Sequence, residues 1–345
     1  MIPEPQNVDV PQSVIEAAID GSLTIFLGNG LSRLYGFPSW DGLANSMLSE
    51  LAKEKVITFN DAELIKRLPI KTKISIADSY FKENWQLERE KVRSLTYEAI
   101  LSGSVRKRML DEDKIFSHLA RCKVRFVTTN YDHLLDTQLN KVHKKAFDSQ
   151  NLENATSASS EKPETMQTRN FEIISHPSKL EYATSLTETV LLHLHGMMGS
   201  DEGRLIASTA DYLDLYTDKN FSDCLIHFLS NQTIVFIGYG LQELEVLEMI
   251  FRASKLNDQE KEHLILLPLM SHEEHLLDHL ERYWKALGFK LVAYNTDKKG
   301  YDSIEDLILK WAPVIAEEAR PPRTSVNNEV IDSILDKFDE VSSGR

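Results

Sequence analysis

Apolar residues recur along this chain in two rhythms. Short unbroken runs end in glycine, asparagine or histidine, and longer stretches repeat their apolar positions every three to four residues. The first run, Leu23-Thr24-Ile25-Phe26-Leu27, carries no charge and passes straight into Gly28-Asn29-Gly30. A run so short and so apolar reads as a strand buried on both faces, hence as part of a parallel sheet. Val124–Thr129, Thr189–Gly196, Thr233–Ile237, His263–Leu267 and Lys290–Tyr294 read as further strands, and Phe171–Ile174 predicts a smaller one.

Helical spacing fills the intervals. Pro11–Ala18 predicts a first helix with its proline near the opening turn. Ser39 is placed to cap a helix through about Lys53, with Leu43, Met47, Leu48 and Leu51 at helical spacing. Ala62–Leu68, Ile74–Lys82, Leu87–Leu101 and Lys114–Cys122 follow in the same rhythm, and no strand pattern interrupts them. A crossover between parallel strands needs only about a dozen residues, so residues 41–120 read as a helical module inserted between the first strand and the second. Beyond it, helices are predicted over His133–Asn140, Ala210–Tyr216, Phe221–Leu229, Gln242–Ser254, Glu273–Leu287 and Ser303–Ala316. This alternation predicts an α/β fold over residues 1–345, a Rossmann-like, doubly wound parallel sheet in a single domain. Residues 150–168 hold almost nothing apolar and read as a surface loop or mobile lid. Residues 326–345 contain a short amphipathic tail helix, Val330–Phe338, read as an oligomer or partner contact.

Composition narrows the function classes. The 345 residues are 42% hydrophobic and 27% charged, as in an ordinary globular protein. No apolar run approaches the roughly 20 residues of a membrane span. The opening Met1-Ile2-Pro3-Glu4-Pro5 shows no signal-peptide pattern, and the sequence is read as cytoplasmic. The net charge of −14 speaks against direct nucleic-acid binding, since the one basic cluster, Arg106-Lys107-Arg108, is soon followed by Asp111-Glu112-Asp113. The two cysteines make neither a disulfide framework nor a four-thiolate zinc site, and no carboxylate constellation with metal spacing suggests a nuclease, so no metal is expected.

The candidate chemistry lies at strand ends. Gly28-Asn29-Gly30-Leu31-Ser32, Thr129-Asn130-Tyr131-Asp132, His193-Leu194-His195-Gly196 and Gly238-Tyr239-Gly240 each sit at or just past the C-terminal end of a predicted strand, the edge where open α/β sheets bind ligands. Singly, each has a plain structural reading as a tight turn, a helix cap or a core histidine; their shared place is what points to a site. The first turn has Arg33 where the dinucleotide fingerprint needs a third glycine, which disfavours a hydride-transfer enzyme. It also lacks the Lys-Ser/Thr pair of a Walker loop. Arg33 can offer a fixed cation to a pyrophosphate and Ser32 a hydroxyl hydrogen bond. His193 and His195 stand two apart and are expected on one strand face. His195, next to Gly196, is preferred for the site, and His193 is read as packed or supporting.

Gly28 through Arg33 with Gly36-Phe37-Pro38-Ser39-Trp40 resembles the first motif of sirtuin-like NAD-binding domains. Thr129–Asp132 is similar to that family's second motif, Leu194-His195-Gly196 to its histidine motif, and Phe236–Leu241 to the motif near the domain's end. Pro38-Ser39-Trp40 and Thr-Asn-Tyr-Asp resemble the divergent bacterial branch, whose members act as NAD hydrolases in anti-phage defence, often beside an ATPase or Argonaute-type partner. The resemblance implies NAD as substrate and Asn130 and His195 as the catalytic pair. It implies Gly28, Asn29, Gly30, Ser32 and Arg33 around the phosphates and ribose, Asp132 in support, and Gly238 and Tyr239 on the adenosine side. Asn29 stands where the family usually has alanine, and Gly240 and Glu243 stand where the branch more often has serine and aspartate. The four-cysteine zinc ribbon of the deacylases is absent. The leading expectation is NAD hydrolysis to nicotinamide and ADP-ribose by a homo-oligomer whose activity is held low until assembly or a partner releases it. The alternatives are NAD-dependent deacylation or ADP-ribosyl transfer, and a non-enzymatic subunit that senses NAD or ADP-ribose.

Overall fold

The computed structural model describes residues 1–86, 97–102, 113–142, 171–186, 189–199, 205–240, 244–256 and 262–322. They form a seven-stranded sheet of β1 (Leu23–Leu27), β2 (Arg125–Thr128), β3 (Phe171–Ile174), β4 (Thr189–His193), β5 (Thr233–Ile237), β6 (His263–Leu269) and β7 (Phe289–Asn295), in the spatial order β3-β4-β2-β1-β5-β6-β7. Every neighbouring pair is parallel. β1, β2, β4 and β5 are buried along their whole length, which is why their sequences show no polar alternation. Ile25, Leu27, Phe126 and Val235 pack on one face with the helices Gln12–Asp20 and Ser303–Glu318. Phe26, Val127, Leu192 and Phe236 pack on the other with Lys219–Ser230 and Leu244–Leu256.

The chain runs outward from β1 through β2 to β3 at the edge, steps back to β4 between them, then crosses to β5 on the opposite flank of β1. The order therefore reverses between β1 and β5, the place where doubly wound sheets open a crevice at their C-terminal edge. Here the two turns fill much of it with backbone. Gly28 N–H donates to Ile237 O at 2.9 Å and Gly30 N–H to Gly238 O at 2.7 Å. A Cβ on Gly28 would lie 2.3 Å from Tyr239 Cα, and one on Gly30 would lie 2.6 Å from Gly238 O. Gly238 itself has a left-handed φ of 64°. These glycines thus serve the contact between neighbouring strand-end turns.

Between β1 and β2 lie the helices Trp40–Lys53, Phe59–Ile65, Ile70–Gln86 and Tyr97–Ser102. The Ser39 hydroxyl caps the first by accepting Gly42 N–H at 3.1 Å. Leu43, Met47, Leu48, Leu51, Ile74 and Phe81 build a core separate from the two sheet faces. The following helix, Ile115–Leu119, instead packs with the sheet through Ile115, Phe116 and Leu119. The stretch predicted as one helix over Glu273–Leu287 divides into a 3₁₀ segment, Ser271–Leu276, and a helix, Leu277–Ala286. The lid expected at 150–168, the tail helix at 326–345 and the helical residues 87–96 lie outside the described residues. Among the described residues, no helix is long and apolar enough to cross a membrane.

A methyl group at Gly28 must displace backbone, for which no rotamer change compensates. Gly28→Ala is expected to destabilise the fold by about 1–3 kcal/mol, read as a lower midpoint in thermal or urea unfolding.

Candidate active site

A small cleft with about 30 Å³ of free space opens at the ends of β1 and β2, lined by Asn29, Pro38, Trp40, Leu43, Asn130 and Tyr131 among others. That is well below the roughly 300–1,000 Å³ of small-molecule sites, so a nucleotide would have to widen it. Two loops and the helical module build it. Tyr131 reaches from the β2 loop into the module's core and meets Trp40 edge-on, with ring centroids 5.5 Å apart. The Tyr131 hydroxyl donates to Ile206 O at 2.6 Å, and Met198 N–H donates to Tyr131 O at 3.0 Å. The β2 loop is thereby stitched to the segment that follows β4.

Asn130 is held from several sides. Its N–H donates to Thr128 Oγ1 at 3.0 Å, and the Thr128 hydroxyl donates to Leu27 O at 3.0 Å. Its side-chain amide donates to Ser32 Oγ at 2.9 Å, and Ser32 donates onward to Asp132 Oδ2 at 2.6 Å. The other Asp132 oxygen accepts Leu134 N–H at 3.0 Å, opening the helix over 134–142. Burial pushes the Asp132 carboxyl above the usual carboxylate range, while the Ser32 and Leu134 hydrogen bonds pull it back. Ser32 is 1% exposed, so its hydroxyl here ties the first two motifs together.

Of the other expected ligand groups, Asn29 lines the cleft with its amide already engaged, and Arg33 and Tyr239 lie outside the lining. The Asn29 amide donates to Pro38 O at 3.0 Å, bracing the turn against the loop that leads into the module. Arg33 is exposed, with its guanidinium 5.9 Å from the centre of the Tyr301 ring. Tyr239 is buried in the sheet core, its ring 5.0 Å from Phe26 and 5.7 Å from Phe236.

The two histidines point to opposite faces, contrary to the expectation from their spacing. β4 ends at His193, and the chain turns through Leu194 and His195 into Gly196 at φ 84°. The two-residue period applies only inside a strand. His193 sits under the β2 loop, with Nδ1 3.0 Å from Asn130 O and Nε2 3.1 Å from Asp136 Oδ1. His195 is 0% exposed on the other side, with Nε2 2.9 Å from the Tyr216 hydroxyl and Nδ1 3.2 Å from that of Tyr212. It does not line the Asn130 cleft. Burial, helped by the charge of Lys71, pushes its pKa down to about 3, so the ring is neutral at physiological pH.

The helical module also grips the elements around His195. Lys71 pairs with Glu245 at 2.5 Å and lies 4.9 Å from the Tyr212 ring centre. Lys82 binds both Asp211 oxygens at 2.7 Å, and Thr209 N–H donates to Ser75 at 2.9 Å. Asp136, Tyr212 and Tyr216 are partners that sequence reasoning missed. Their signal was spacing, since Asp132 with Asp136, and Tyr212 with Tyr216, stand four residues apart.

Fold and cleft together define an open, Rossmann-like α/β protein with its candidate site at the sheet's C-terminal edge. Residues 124–292, just under half of the chain, match the family model described as the SIR2-like domain. The match takes in Asn130, His195 and Gly238 and leaves out β1, its turn and the helical module. Over 347 aligned residues the chain is 24% identical to Defense-associated sirtuin 2 of Bacillus subtilis, covering 96% of this chain and 29% of that protein. The chain thus spans under a third of that relative's length.

Two outcomes follow from this geometry. Ser32→Ala leaves the Asn130 amide and an Asp132 oxygen without their shared partner, and should cost about 1–3 kcal/mol in urea unfolding. His195 has a folded pKa of about 3 against an ordinary 6.5, so its contribution to stability is full above pH 6.5 and lost as pH falls from there toward 3. A His195→Gln variant, with no ring to charge, should lose less stability than wild type between pH 7 and pH 5, measured as denaturation midpoints.

Proposed function

We propose that this chain hydrolyses NAD to nicotinamide and ADP-ribose in a bacterial defence role. The observation that carries the reading is the Asn130 amide, held at a strand-end cleft by Ser32 and Asp132 within a SIR2-like domain. The name of the Bacillus subtilis relative supports the defence setting.

The chemistry asks for little charge. The bond between nicotinamide and ribose breaks, nicotinamide leaves as a neutral molecule, and an oxocarbenium-like carbon remains. Water adds to that carbon and releases one proton. An amide can orient the water or a ribose hydroxyl without changing its own charge. His195 is the proposed base. With both ring nitrogens engaged by tyrosines, it is reached from the cleft only after the segment carrying Tyr212 and Tyr216 shifts. That need for a shift supports low activity in the isolated chain and its release by self-assembly or by a partner.

The direct test incubates the purified chain, alone and assembled with any partner, with NAD and follows nicotinamide and ADP-ribose. The assembled wild type should consume NAD, and Asn130→Ala should reduce that turnover by about 10²-fold or more, the scale of losing one positioned polar group. Equal consumption by wild type and Asn130→Ala overturns the assignment. With an acylated peptide present, O-acyl-ADP-ribose would mark deacylation instead. Tight NAD binding without cleavage, in both the isolated and the assembled protein, would mark a sensor.

A further inference from the structure

We propose that His193 is the positioning residue of the Asn130 site: donating from both ring nitrogens at once, it clamps the Asn130 carbonyl to the Asp136 carboxylate and so sets where the Asn130 amide stands in the cleft. The proposal rests on the NAD-hydrolysing reading for its kinetic consequence, but its geometry stands independently.

Nδ1 faces a peptide carbonyl at 3.0 Å and Nε2 faces a carboxylate oxygen at 3.1 Å. Neither partner supplies a hydrogen, so the ring must supply both, and a histidine that donates twice is an imidazolium. Removing one proton would leave two acceptors facing each other with nothing between them. The side chain is 1% exposed, so water offers no ready substitute.

The surrounding charges agree. Asp136 faces the ring from the helix over 134–142, and Asp132 faces it from the loop after β2; His195, on its own segment, has turned to the opposite face of the sheet. Burial, the largest single influence, pushes the His193 pKa down, yet Asp136, the Asn130 carbonyl and Asp132 together outweigh it and the pKa is raised above its ordinary value. A raised folded pKa gives a definite sign. The clamp is complete below the ordinary histidine value and is lost as pH rises through the raised one.

Asn130 connects this clamp to the cleft. Its carbonyl takes the His193 hydrogen bond while its amide reaches Ser32. Releasing the carbonyl frees the peptide between Asn130 and Tyr131 to rotate, and the amide moves with it. Misplacement of a positioned group by about 1 Å costs on the order of 10²-fold in rate.

The experiment uses the 345-residue chain as wild type, His193→Gln and Asp136→Asn, under conditions where wild type consumes NAD. Both variants should lose about 10²-fold in kcat, with a smaller change in KM. The alkaline limb of the wild-type kcat profile should move to lower pH in Asp136→Asn and vanish in His193→Gln. Variants that fold, by circular dichroism, and keep wild-type kcat and the wild-type alkaline limb overturn the proposal. Nitrogen-15 histidine spectra supply a readout free of catalysis. Wild-type His193 should show both ring nitrogens protonated at pH 7 and lose a proton only at higher pH, whereas a neutral single tautomer at pH 7 overturns the clamp. If wild type never consumes NAD, the hydrolase reading fails while the spectra still decide the clamp. If His193→Gln does not fold, Asp136→Asn and the wild-type spectra decide it.

Discussion

The hydrogen bond from Ser32 to Asp132 joins residues 100 positions apart in sequence, and the candidate site depends on it. It ties the turn after β1 to the loop after β2 across the whole helical module. Because Ser32 also accepts the Asn130 amide, the same hydroxyl closes the chain and orients the side chain that faces the cleft. A buried hydroxyl with both roles filled is costly to disturb, since each partner left alone keeps its full desolvation penalty. The module can therefore be large without loosening the site, because its two ends leave from strands that are adjacent, in register and cross-linked at their tips.

Polarity is distributed around that bond in a consistent way. The turns after β1 and β5 meet backbone to backbone, which requires glycine and uses the Gly28 and Gly30 donors within the protein. The two histidines at the end of β4 divide between opposite surroundings. Asp136 and Asp132 help raise the His193 pKa against burial, whereas burial and the charge of Lys71 lower that of His195. Two like residues two positions apart thus shift in opposite directions. The helical module takes part on both sides, through Tyr131 and Trp40 at the cleft and through Lys71, Ser75 and Lys82 around His195. The module thus contacts both the cleft and the surroundings of His195.

Much of this was legible in the chain. Short apolar or β-prone runs located the seven strands of the described residues, most plainly β1 and β5, since a strand covered by helices on both faces has no solvent side to mark with polar residues. Ser39 announced its cap, and the long interval between Leu27 and Val124 announced the helices that lie between β1 and β2. The placement of the chemistry-bearing motifs at one sheet edge followed from parallel topology alone.

Side-chain direction past the strand ends was not legible, because periodicity stops where the strand stops. Only the folded arrangement turned His195 to the face opposite His193, sent Arg33 toward Tyr301 and put the Tyr239 ring into the core. Asn29, whose amide braces Pro38, and Asp136, which pairs with His193, drew their roles from neighbours that local sequence does not name. The sequence by itself determined the sheet, the helices between β1 and β2, and the edge at which the candidate motifs gather. The tertiary structure decided which polar group meets which, because hydrogen bonds between residues far apart in the chain depend on positions that local pattern cannot set.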